Sequence, residues 1–177
     1  VRLGANIDAA YEEAWKSWNI AGKERVEIAH RLAEFLLTAG CYSKFATRLF
    51  RLTLKHYETT LGPRHPNTLN SINNLGNLLH KQGNDDGAET LLRQALAGTE
   101  ETFGREHSET LELLNNLGVI LKGKGKYDEA AEMYERAIVE SEKLLGAAHP
   151  STLDCINNLG NLFYQQGKLS EAKSLYQ

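Results

Sequence analysis

Three histidines, His65, His107 and His149, stand one fixed interval apart. Imidazole is the commonest side-chain ligand of transition metals, so a recurrent triple raises zinc first. Zinc needs its ligand nitrogens about 2.1 Å from one ion. Equivalent residues on packed helices stand about 8–10 Å apart. The three therefore do not converge, and each is read as a helix N-terminal residue that bonds turn backbone. Asp85-Asp86 and Glu100-Glu101 are carboxylate pairs, but each is adjacent in sequence on a turn or solvated helix face. Acids that do chemistry together face each other across a pocket. Ser43 and Ser141 have no positioned histidine and acid, and the glycines form no G-x-x-x-x-G-K phosphate cradle. The Lys122-Gly123-Lys124-Gly125-Lys126 cluster reads as a solvated helix end whose cations oppose the macrodipole. An enzyme is not expected, and no metal or other cofactor is implied.

A different chemistry recurs with the same interval. Asn-Asn-Leu-Gly occupies 73–76, 115–118 and 157–160, a period of 42 residues. A carboxamide offers a donor and an acceptor together, so it can pair with both the C=O and the N–H of a peptide backbone. Asparagine is also a poor helix-interior residue, yet six appear in three pairs. Two roles follow: gripping a ligand backbone, or hydrogen-bonding between adjacent repeats.

The elements that position these groups repeat as well. A fixed period of this length marks a solenoid, in which each unit packs only on its neighbours. In residues 61–102, Leu61-Gly62-Pro63 is a turn, and Pro66 suits the first helical position. Ile72, Leu75, Gly76 and Leu79 then recur at helical spacing. Gly83 ends that helix, and Ala88, Leu91, Leu92, Ala95 and Leu96 form the stripe of a second. Residues 103–144 and 145–177 repeat the pattern around Leu117-Gly118 and Leu159-Gly160. A diverged unit spans 23–60, with stripes at Ile28, Leu32, Ala33 and Leu36 and at Ala46, Leu49, Phe50 and Leu54. Its internal turn is one residue longer than its counterparts. Residues 1–22 hold a stripe of Tyr11, Ala14, Trp15 and Trp18, read as a cap helix or the end of a preceding repeat. The expected fold is all-α, a right-handed superhelical array of helix pairs at about 23–39/43–59, 66–82/85–102, 108–124/127–144 and 150–166/169–177.

Composition narrows the function classes. The 177 residues carry 20 basic and 23 acidic side chains, a net charge of −3, with no long run of one sign. Nucleic acid is not an implied partner. No apolar run reaches membrane-spanning length, so no membrane is implied either. Cys41 and Cys155 lie at non-equivalent places, which argues against a disulfide framework and fits a reducing, cytoplasmic setting. The chain starts at Val1 and stops at Tyr176-Gln177 in mid-pattern, so it is read as a fragment of something larger.

Ile72, Leu75-Gly76, Leu79, Ala88, Leu92 and Ala95 resemble the tetratricopeptide repeat, in its 42-residue variety. The run Leu-Gly-x-x-His-Pro-x-Thr-Leu with Asn-Asn-Leu is similar to the repeats of kinesin light chains and of NLR-like (STAND) signalling proteins. The resemblance implies a non-enzymatic module holding a protein or peptide segment on a concave face lined by the first helix of each pair. Counting Leu75-Gly76 as buried, the groove positions are Asn70, Asn73, Asn74, Asn77, His80 and Lys81. Their equivalents are Glu112, Asn115, Asn116, Val119 and Lys122, then Asp154, Asn157, Asn158, Asn161, Tyr164 and Gln165. His30 and Arg31 fall at matching places in the first unit. By resemblance, Asn74, Asn116 and Asn158 grip ligand backbone, while Arg31, Lys81, Lys122 and Tyr164 meet its side chains. The terminal-carboxylate clamp of chaperone-binding members is not matched, because Arg31, Asn74 and Lys81 stand at the wrong spacing. Three roles are expected in turn: sensor region of an NLR-like protein, cargo or scaffold adaptor of the kinesin light chain kind, and self-association. The last would use Leu159, Phe163, Ala172, Leu175 and Tyr176, left without a capping neighbour.

Overall fold

A glycine in the left-handed region closes the first helix of every repeat. In the computed structural model, which describes Glu13, Trp15, 22–41 and 43–175, Gly40, Gly83, Gly125 and Gly167 have φ of 73°, 80°, 75° and 76°. That conformation is costly for residues with a Cβ. At Gly83 the amide donates to His80 O, and the next amide, that of Asn84, donates to Leu79 O, both at 2.9 Å. This paired capping satisfies carbonyls the helix leaves open. It recurs at Gly125 and Lys126, and at Gly167 and Lys168.

Eight helices have both ends among the described residues: Gly22–Thr38 (α1), Lys44–Thr60 (α2), Pro66–Lys81 (α3), Asp85–Phe103 (α4), Ser108–Gly123 (α5), Tyr127–Leu145 (α6), Pro150–Gln165 (α7) and Leu169–Ser174 (α8). No strand occurs among the described residues. The sequence-based bounds agree to within a residue or so except at the last helix, which the structure ends at Ser174. Most of the Tyr11–Trp18 stripe lies outside the described residues. Trp15 itself is buried, with the Arg25 guanidinium 4.9 Å from its ring centre.

The entry to α3, α5 and α7 explains the His-x-x-Thr run, in which Pro follows the histidine at α3 and α7 and Ser at α5. His65, His107 and His149 are the N-cap residues, and each Nδ1 accepts from the amide two residues on, at 3.2, 3.3 and 3.2 Å. An imidazole thus takes the place usually filled by Ser, Thr, Asp or Asn. Thr68, Thr110 and Thr152 are fully buried. Their hydroxyls donate back to the carbonyls of Gly62, Gly104 and Gly146, at 2.8, 2.8 and 3.0 Å. The threonine therefore pins each helix to the turn that feeds it.

The chain divides into two compact units, meeting in sequence at Asn84 and Asp85. In the first, α2 packs on α1 and on α3. Ala29, Ala33 and Leu36 of α1 and Phe45, Leu49 and Phe50 of α2 are all buried in its core. Ile28 and Leu32, expected in the stripe, are only half-buried. Ala33 and Leu36 are buried as expected, and Val26 and Ala29 complete the buried face of α1 in place of the other two.

In the second unit each helix from α4 to α8 packs on the next, and α5 also touches α7. Leu114, Leu117 and Leu121 of α5 share its core with Ala130, Tyr134 and Ala137 of α6. Gly118 makes that approach possible, because a Cβ there would stand 2.6 Å from Tyr134 Cε1. Leu159 and Ala172 are buried between α7 and α8. Those two are therefore already covered and do not belong to an open apolar end face, contrary to the expectation from sequence.

Candidate protein-binding face

The first helices of the pairs, α1, α3, α5 and α7, carry the groove residues expected from sequence. In the first unit Arg31, Asn70 and Lys81 are exposed, and Asn74 and Asn77 are half-buried. Asn74 Nδ2 donates to Asn70 Oδ1 at 2.9 Å and to Glu34 Oε1 of α1 at 3.3 Å. His30 Nε2 lies 3.2 Å from the same Glu34 oxygen. Asn73 departs from the expectation. It is buried, and its Oδ1 accepts from Asn77 of the same helix at 3.4 Å.

In the second unit Asn157, Asn161 and Tyr164 are exposed, while Asn115, Asn116 and Lys122 are half-buried. Asn158 Nδ2 of α7 donates to Asn115 Oδ1 of α5 at 2.8 Å. Within each unit an asparagine thus ties one first helix to the one before it: Asn158 to Asn115, and Asn74 to Glu34. Both bonds use the amide nitrogen. The Oδ1 of Asn158 is not spent on its link, so the linking bond and an acceptor for a ligand N–H are compatible.

Between α1 and α3 in the first unit, and between α5 and α7 in the second, the chain leaves a recess floored by the end of the helix that separates them. In the second unit its volume is about 280 Å³, with Glu112 and Asn115 on one wall, Asp154 and Cys155 on the other, and Ser141 and Leu145 beneath. In the first unit a recess of about 560 Å³ has Val26 and Glu27 on one wall, Asn67 and His65 on the other, and His56, Tyr57 and Leu61 beneath. Burial, with Asp154 adding, pushes the Cys155 thiol up to about 11. Burial, with Glu27 and Glu34 adding, raises the Tyr57 hydroxyl as well. The recess was not legible in the sequence, because three helices build it and no single motif encodes it.

The lysine turn after α5 behaves differently from the solvated helix end expected. Lys124 Nζ lies 2.7 Å from Glu89 Oε2 of α4, and Lys126 Nζ lies 2.8 Å from Glu89 Oε1. Arg93 Nε, one turn along α4, adds a third contact at 3.0 Å. Glu89 is buried, and these donors hold its carboxyl down at about 2. The adjacent acids are structural too: Asp86 meets Lys124, and Glu100 meets Arg136. Position explains the pattern. Gln82 stands one period before Lys124, and it reaches Thr47 Oγ1 at 2.9 Å and Ser43 O at 3.1 Å. The residue closing each of these first helices reaches back to the start of the preceding repeat's second helix. Ser43 caps α2 by accepting from Ala46 N, and Ser141 donates to Ile138 O.

No described helix is long and apolar enough to cross a membrane, and the described residues gather no group of three or more candidate metal ligands. The Tetratricopeptide repeat family matches residues 24–101, 73–139 and 109–177. No curated protein matches the chain. Among solved structures, the nearly identical repeats of a Podosopora anserina protein described as a kinesin light chain are similar at 26% identity and a TM-score of 0.77, over 88% of this chain and 74% of that one. A single-substitution form of that protein gives the same identity and score, over 89% and 74%. BtubC (BKLC) from P. vanneervenii shares the fold at 21% identity and a TM-score of 0.79, over 97% of this chain and 70% of its own. With family matches running from residue 24 to residue 177, the chain belongs to the tetratricopeptide repeat family.

Proposed function

We propose that this chain is a non-enzymatic module that holds a protein or peptide segment against the exposed faces of its first helices. The observation that carries the reading lies in the second unit. There α5 and α7 touch, are joined by the Asn158–Asn115 bond, and leave a recess between them. Tyr164 stands on the same helix as Asn158 and is 68% exposed. An exposed tyrosine beside polar groups is the kind of residue on which interface energy concentrates. The ordered network of Glu89, Lys124 and Lys126, by contrast, is occupied with holding repeats together.

As to setting, a cargo or scaffold adaptor is favoured by the solved kinesin-light-chain-like repeats. A sensor role in an NLR-like protein rests on the resemblance of the repeat alone. Self-association would have to use Tyr164 and Leu169, which are exposed, in place of the covered Leu159 and Ala172.

Two altered baits and the unaltered chain test the reading in a lysate pull-down. One bait carries Asn161→Ala and Tyr164→Ala on the first-helix face. The other carries Glu132→Ala and Glu135→Ala on the exposed side of α6. Partners lost only from the first bait, with helicity unchanged by circular dichroism, are the expected result. Loss only from the second would move binding to the outer face and overturn the proposal.

A further inference from the structure

We propose that copies of this chain associate head to tail, with Phe35 of one copy entering a recess between α7 and α8 of another. Phe35 stands five residues before Gly40, the glycine that caps α1. The residues five before Gly83, Gly125 and Gly167 are Leu78, Ile120 and Leu162. Those three are at most 1% exposed, whereas Phe35 is 63% exposed. The first helices α3, α5 and α7 each pack on the second helix before them. At α1, Trp15 meets the helix at Arg25, ten residues before Phe35 and about 15 Å from it at the helical rise. Phe35 itself is left open.

Helices α7 and α8 offer the complementary surface. Helix α7 lies against both α5 and α6, and Asn115, Val119 and Lys122 of α5 are half-buried. One period on, Asn157, Asn161 and Tyr164 of α7 are exposed. A recess of about 420 Å³ opens there, lined by Gly160, Asn161, Tyr164, Leu169, Ala172 and Lys173. A cavity of about 150 Å³ already holds a benzene ring, so the recess admits a phenylalanine side chain. Its position suits the end of a first helix. That end lies over the start of the preceding second helix: Gln82 reaches Ser43 and Thr47, and Lys124 reaches Asp86 and Glu89. Phe35 belongs to the same end of α1, and Leu169, Ala172 and Lys173 belong to the start of α8. The α1 of a second copy would therefore continue the contact that α7 makes with α5 and α6. This recess shares no residue with the one between α5 and α7, so the contact goes beyond the protein-binding reading and leaves that recess open. It joins two different surfaces, and such a contact extends past a dimer unless it closes into a ring.

The test is light scattering of the full chain at rising concentration, where the mass should climb past that of the monomer. Phe35→Asp and Leu169→Asp, both at exposed positions, should each weaken association about tenfold or more, with helicity unchanged by circular dichroism. An equimolar mixture of the two variants should form a complex of one copy of each and grow no further, because only one intact head and one intact tail can meet. Association that survives either substitution, or a mixture that stays monomeric, would overturn the proposal. So would an unaltered chain that stays monomeric at every concentration. If Phe35→Asp also lowers the melting temperature of that monomer, residues before Gly22 cover Phe35 in place of a second copy.

Discussion

Glu89 shows how a single buried carboxylate organises its surroundings. Three cationic side chains converge on it from two directions, two from the turn after α5 and one from its own helix. Breaking a buried pair leaves uncompensated charge, which costs more than an exposed pair ever contributes. The folded-state value of about 2 lies below the ordinary 4.5. The stabilisation is therefore fully present above about pH 4.5 and is lost as pH falls toward about 2. Glu89→Gln should lower unfolding stability by about 2–3 kcal/mol at pH 7. Urea unfolding of both forms between pH 7 and pH 2.5 checks this: the gap should shrink steadily below pH 4.5, and a gap constant with pH would contradict it. The sequence displayed the lysines plainly, but not their partner. Glu89 and Lys124 are 35 residues apart, and only the stacking of α4 on α5 brings them together. The asparagines were legible as a pattern whose role the residues left open. The bonds of Asn74 and Asn158 to the preceding first helix establish linking for those two.

At the scale of the helix, starts and stops were the most legible part of the chain. Glycine after each first helix and the histidine before α3, α5 and α7 are local signals, because they satisfy backbone groups within a few residues. In α1 the expected stripe holds at Ala33 and Leu36 but not at Ile28 and Leu32. Ala29, buried in their place, gives a weaker hydrophobic signal than neighbouring Ile28 and Leu32. The histidine caps allow a direct check. His107→Ala should cost about 1 kcal/mol, and His107→Asp should restore most of it, measured by urea unfolding at pH 7. Equal stability of the alanine and unaltered forms would show that the Nδ1 bond to Glu109 N does not hold the start of α5. The buried Thr110, bonded to Gly104 O, keeps the turn in place in either form. The His107 ring also stacks on Phe103, 4.5 Å between centres, so the part of the loss that His107→Asp restores is the part that reports on the cap.

For the molecule, the period of 42 residues revealed the family before any contact was known, because a solenoid is built from neighbour interactions that recur in sequence. The recess between first helices was hidden for the same reason that it matters: residues from three helices create it, and no one helix carries enough of them to mark it. The charge ties lie between α4, α5 and α6, whereas the amide links and the recess lie between first helices. That division of labour is the basis for placing partners on the first helices. Site-specific photo-crosslinking tests it most directly. A photoreactive phenylalanine analogue replaces Tyr164 in one form and Glu132 in another, and each is irradiated in lysate with crosslinked peptides sequenced. Crosslinks to a defined partner segment from position 164, and none from position 132, are predicted. The reverse pattern, or equal capture at both positions, would contradict a binding face on the first helices.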